Sequence, residues 1–247
     1  MLKALLFVHI AAGSIALAAM LVPLVAAKGG RLHRRMGWVF VGGMATVSVT
    51  ALMLAAARFL LDAADEGRAR GLFLFYVGIL TAAGVSAGVR VLRFKRRAVA
   101  HRHPWDLGLA ALLILAAVAM AAYGIVIGRT LFVAFSVIGL ATGINQLVSW
   151  MRVPTHPMHW WFEHMGSMLG SCIAATTAFL VVNAEGWGLG TFSLVVWLTP
   201  SVVGTAAIAI WTAYYRRTFA GTTSPSGGRS GRRPPIAAGE SLSVVRS

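Results

Sequence analysis

Seven long apolar tracts, separated by short clusters of charged, glycine and proline residues, set the pattern of this chain. They cover residues 4–27, 38–61, 72–92, 107–127, 131–150, 161–183 and 191–214. Each has the ~20 residues that a helix rising 1.5 Å per residue needs to cross a hydrocarbon core of ~30 Å. The apolar residues come in runs rather than in alternation, which is the pattern of helices and not of half-buried strands. The intervening links are short, and short links make successive helices antiparallel neighbours. The pattern predicts an all-α polytopic membrane protein, a bundle of about seven transmembrane helices over residues 1–220. After Tyr215 the sequence turns to Gly, Ser, Pro and Arg, so residues 221–247 are expected to form a disordered basic tail on the cytoplasmic side.

Composition sharpens this picture. The 247 residues are 58% hydrophobic and only 12% charged, against roughly a quarter charged in a soluble domain. The single cysteine, Cys172, lies inside the sixth tract, which excludes an internal disulfide and cysteine-rich metal clusters. A net charge of +15 would suit nucleic acid. The bases are confined to links and tail, however, which is the pattern of topology signals and of contacts with anionic lipid headgroups. The expected partners are therefore the bilayer and its anionic headgroups, with no nucleic acid; the sequence names no protein partner.

Orientation follows from the same residues. With seven spans, seventeen Lys and Arg residues fall on the side of the C-terminus, and Lys3, Arg58, Arg68, Arg70 and Arg129 fall on the other. The N-terminus is therefore expected outside and the C-terminus in the cytoplasm. The first tract, with Lys3 before it and Val25, Ala26 and Ala27 at its end, resembles a signal peptide. Its ~24 apolar residues exceed the usual 7–15 of a signal core, and it is read as a helix. Glycines four apart, Gly84/Gly88, Gly124/Gly128, Gly139/Gly143 and Gly166/Gly170, suggest close helix packing.

Candidate chemistry is sparse. An ionisable residue at mid-membrane costs about 2.5–3.5 kcal/mol on insertion scales, so such residues are the first functional candidates. His9 shares a helix face with Ala12, Gly13 and Ala16, and His164 shares one with Ser167, Met168 and Ser171. Small residues of this kind turn toward neighbouring helices, so each imidazole has two readings: a neutral hydrogen-bonded tie, or a haem or metal ligand. Depth separates the two by ~17 Å in a ~30 Å core, too far to share one iron. His33, at the entry to the second helix, is the better partner for His164. Haem b held between them would find Arg31, Arg34 or Arg35 for its propionates.

A second set, His156, His159 and Glu163, lies just before and within the sixth helix. His159 and Glu163 would be i,i+4 neighbours, a spacing that suits a metal. The plainer reading of Glu163 and Asp106 is a carboxylate stabilised at a helix N-terminus. Asn145, Gln146, Thr176, Thr177 and Asn183 add uncharged polarity, and a transport role would require an accessible cavity near Asn145 and Gln146. No phosphate-binding loop, serine-nucleophile motif or His-Glu-x-x-His occurs. Two classes of function remain: a b-haem or quinone-linked redox protein, and a non-enzymatic small-solute transporter, sensor or partner subunit with structural histidines.

The stretch Val8-His9-Ile10-Ala11-Ala12-Gly13, followed by His33-Arg34-Arg35-Met36-Gly37-Trp38, resembles a family of uncharacterised bacterial multi-pass membrane proteins. That family carries a domain of unknown function, with His-x-x-x-Gly in a first helix and His-Arg-x-x-Gly plus an aromatic at the second. The region around His164 and Thr176 to Asn183 is similar as well. The resemblance implies a bacterial inner-membrane location and draws attention to His9, His33 and His164. It implies no activity and no substrate.

Overall fold

The computed structural model describes residues 2–190 and 193–222. Seven α-helices follow in order: α1 Leu2–Val25, α2 Arg31–Leu61, α3 Asp65–Arg90, α4 Pro104–Val126, α5 Thr130–Met151, α6 His159–Asn183 and α7 Leu194–Thr222. No strand occurs among the described residues. Every apolar tract of the sequence has become one helix, and all seven are long and apolar enough to cross a membrane. The differences lie at polar ends. Helix α2 starts at Arg31 and α3 at Asp65, seven residues ahead of their apolar tracts, because backbone hydrogen bonding continues past the point where side chains become charged. Asp65 and Glu66 in the first turn of α3 also complement the helix dipole. Apart from Gly221 and Thr222, which end α7, the expected tail over 221–247 lies outside the described residues.

Backbone contacts divide the chain into two units, Met1–Ile210 and Trp211–Ser247. In the second, the described residues are helical. The Tyr214 and Tyr215 rings meet edge to face at 5.2 Å, and the Thr218 hydroxyl donates to the Tyr214 carbonyl at 3.1 Å.

In the first unit, α3 is the central element, packed against α2, α4, α5 and α6, while α1 lies on α2 and α4 on α5. The expected pairing of successive helices holds as far as α5. It then changes: α6 packs chiefly on α3, and more lightly on α1, in place of α5. The physical reason is the link between α3 and α4. Its Arg97 donates to the carbonyls of Ser149 and Trp150 at the end of α5. Its Lys95 carbonyl accepts from His159 at the start of α6. The link thus stands between the two helix ends.

Close approach depends on particular glycines. A methyl at Gly43 would lie 2.9 Å from the Ala16 Cβ and 3.0 Å from the Ala12 carbonyl oxygen, so α1 and α2 touch there. At Gly143 it would meet Ile114 at 2.8 Å and the Ala110 carbonyl oxygen at 3.3 Å, which joins α4 to α5. Gly166 and Gly170 do not behave this way. Neither has another side chain or helix within 4 Å of an added Cβ, so this pair faces open space instead of a neighbour. An aromatic cluster holds α3, α5 and α7 together: Phe73 stacks on Phe132 at 4.7 Å and meets Phe135 and Trp197 edge-on at 5.3 and 5.1 Å. The Tyr76 hydroxyl, buried beside them, donates to the Phe135 carbonyl at 2.8 Å, as a buried phenol requires.

Candidate functional site

Each of the three histidines singled out by sequence ties one helix to another. The Thr50 hydroxyl donates its single proton to the Thr46 carbonyl at 2.7 Å. It therefore accepts from His9 Nδ1 at 2.8 Å, and α1 is bonded to α2. His164 Nδ1 donates to the Gly88 carbonyl at 2.7 Å, bonding α6 to α3. His33 Nδ1 donates to the Pro23 carbonyl at 3.3 Å. That carbonyl and the one at Leu24 also receive the Lys28 ammonium, at 2.8 and 2.7 Å, which satisfies the open end of α1. Burial lowers the Lys28 pKa from its ordinary value. In all three imidazoles the hydrogen-bonded proton sits on Nδ1, which leaves Nε2 outside these bonds. His9 is bonded to a residue about 25 Å along α2 from His33.

His159 and Glu163 are neighbours one turn apart, Nδ1 to Oε1 3.4 Å, as the spacing predicts. The His159 Nε2 is also engaged, donating to the Lys95 carbonyl at 3.1 Å. Glu163 is faced by Arg97 at 3.8 Å, which makes the group an ion-pair network. His156 is turned elsewhere: its Nδ1 accepts from the Met158 amide at 3.0 Å in the preceding turn. Among the described residues no three His, Cys, Asp or Glu side chains converge on a point where a metal could sit.

The structure gives Asp106, read from sequence as a helix N-terminal carboxylate, side-chain partners that the sequence did not reveal. Asp106, in the first turn of α4, is 4% exposed. It accepts from Arg90 at the end of α3 through both carboxylate oxygens, and from His101 Nε2 at 2.7 Å. The His101 ring lies between Phe94 and Trp150, with centroids at 4.2 and 4.7 Å. Arg97 completes the group, its Nη2 3.1 Å from the Ser149 carbonyl and its guanidinium 4.9 Å from the Trp150 ring centre. Burial lowers the Arg97 pKa from its usual value, and the charges of Glu163 and Asp106 draw it back up. One signal pointed here. Of the seven acidic residues in the chain, only Asp106 and Glu163 fall on the arginine-rich side ahead of the tail.

Beside this cluster lies a cavity of about 1790 Å³, beyond the ~300–1,000 Å³ of ordinary ligand pockets. Residues of α1, α2, α3, α5, α6 and α7 wall it. On α5 the lining residues include Thr142, Asn145, Gln146 and Ser149. They are spaced i, i+3, i+4, i+7 and form one polar stripe. Ser201 and Thr205 continue the polarity on α7, and Ser171 and Thr177 on α6. Gly166 and Gly170 also line it, which accounts for the open space beside them. Lys3, Arg58, Asp62 and Arg70 stand at one end, and Trp150, Phe162 and Glu163 at the other; His9 is in the wall. The Ser149 hydroxyl is buried with no hydrogen-bond partner among the described residues.

Seven apolar spans, six of which wall a largely apolar hollow that carries one stripe of polar residues, define a multi-pass α-helical membrane protein. No protein-family model matches this chain, and no curated protein and no solved structure matches it either. The likeness of its histidine motifs to bacterial membrane proteins rests on those residues alone.

Proposed function

We propose that this chain is a non-enzymatic membrane protein that binds and passes a small solute, with its histidines serving as ties between helices. The observation that carries the reading is the stripe of Thr142, Asn145, Gln146 and Ser149 along the cavity wall. Lipid offers no hydrogen bonds, and each polar group left bare to it costs several kcal/mol. Four such groups on one helix face are stable only against water, solute or protein. The hydrogen bonds of His9, His33 and His164 to neighbouring helices support the structural role of the imidazoles. By the distribution of Lys and Arg, the arginine-rich end faces the cytoplasm, its links against anionic headgroups, and the resemblance of the histidine motifs implies a bacterial inner membrane.

The test is thiol labelling in membrane vesicles of both orientations, with Cys172→Ala as background. A charged, membrane-impermeant methanethiosulfonate should modify Asn145→Cys from at least one face. Modification only by a lipid-soluble maleimide would overturn the reading.

A second reading is favoured by one observation. His33 and His164 each have the Nδ1 proton held by a carbonyl, the arrangement that presents Nε2 to a metal. Haem b bound by this pair would supply one-electron transfer, with Arg31, Arg34 or Arg35 for its propionates. Purified protein would then show a Soret band that is lost in both His33→Ala and His164→Ala. A colourless, folded, iron-free preparation excludes it.

A further inference from the structure

We infer that the solute of this cavity is a small uncharged molecule bearing both hydrogen-bond donors and acceptors, of the polyol or amide kind. The inference rests on the cavity reading above and adds the chemistry of what passes.

The placement of charge in the wall carries it. The charged lining residues stand at the two ends: Lys3, Arg58, Asp62 and Arg70 at one, Glu163 at the other. Glu163 is faced by Arg97 and His159, at 3.8 and 3.4 Å, so that end does not present a bare carboxylate to attract cations. Between the ends the wall is mostly apolar, and its polar side chains, His9 apart, are ones that carry no formal charge. Ser171 and Thr177 donate their hydroxyl protons to carbonyls one turn back, each at 2.9 Å, and both side chains are buried in the helix packing. Gln146 donates to the Ala83 carbonyl at 3.4 Å and keeps its amide oxygen for another partner. The Ser149 hydroxyl is buried and unpartnered among the described residues, at the same end of the stripe as Glu163. Asn145 brings an amide with two donors and an acceptor.

An ion entering this stretch would leave water without meeting an opposite charge, which is strongly unfavourable in the middle of a membrane. A neutral molecule with several hydroxyl or amide groups loses far less. Its acceptors meet the amide hydrogens of the exposed Asn145 on α5, and its donors meet the amide oxygen of Asn145 and the hydroxyl of Thr142. Selection by the number and sense of lining hydrogen-bond groups is how neutral-solute pores discriminate.

The experiment is stopped-flow light scattering of proteoliposomes containing the full chain, under inward gradients of glycerol and, separately, urea. Sodium flux is followed in the same vesicles with a sodium-sensitive dye. At least one of the two neutral probes should enter several-fold faster than in protein-free liposomes, and sodium should not. The arms separate a polyol from an amide preference. The double variant Asn145→Leu, Gln146→Leu should return solute entry to the protein-free rate while helix content and elution stay unchanged. Sodium entry matching that of the neutral probes would overturn the inference, as would folded protein that speeds neither. Asn145→Cys labelling keeps the two levels apart. A labelled cavity without flux defeats the solute class alone, whereas an unlabelled one defeats the cavity reading as well.

Discussion

Asp106 is nearly out of contact with solvent, and Arg90 and His101 engage both its oxygens. Removing one member of such a pair leaves the other buried and uncompensated, whereas replacing both by apolar side chains removes the problem. Asp106→Ala and Arg90→Ala should each lower stability by about 3–5 kcal/mol. The double variant Arg90→Met, Asp106→Leu should recover most of that loss. Thermal unfolding in detergent, followed by intrinsic tryptophan fluorescence, reads the difference; equal damage in single and double variants would count against the pairing. At this scale the sequence was partly legible. Small residues on the faces of His9 and His164 showed that both turn toward neighbours. Which neighbour was hidden, because the acceptors are backbone carbonyls and a threonine on other helices, and sequence does not distinguish one carbonyl from another. Asp106 read as a helix N-terminal acid for the same reason: Arg90 and His101 become its partners only when the ends of α3 and α4 meet.

Helices were the most legible level, since length and hydropathy alone bound each span. Their neighbours were less so. Link length predicts adjacency only when nothing stands between the helix ends, and Arg97 and Lys95 stand between α5 and α6. Glycine spacing identified Gly139/Gly143 as a contact and Gly166/Gly170 as another, yet the second pair faces the cavity. Spacing cannot show which glycine a neighbour approaches. The geometry yields a contrast between positions. Gly43→Ala and Gly143→Ala should each destabilise by about 1–3 kcal/mol, because the added methyl meets backbone as well as side chain. Gly166→Ala should be neutral, or stabilising by about 0.4–1 kcal/mol through reduced freedom of the unfolded chain. Unfolding midpoints of the three variants, measured side by side, check the ranking.

At the level of the whole molecule, topology and cavity are linked, because the orientation decides which mouth faces which compartment. A green fluorescent protein fused after Arg217 should fluoresce in a bacterial host, and alkaline phosphatase at the same point should be inactive. The reverse pair of results would place the arginine-rich end outside. The cavity itself was legible only as scattered polarity; Asn145 and Gln146 stood out, but the match of their stripe to Ser201 and Thr205 on α7 depends on packing. The most direct test of the account is a cysteine scan along α5 with a water-soluble thiol reagent, in the Cys172→Ala background. Cysteines at 142 and 145 should react, and those at Ile144 and Val148, which are exposed yet absent from the cavity wall, should not. Reaction at 144 and 148 with inert positions 142 and 145 would contradict it.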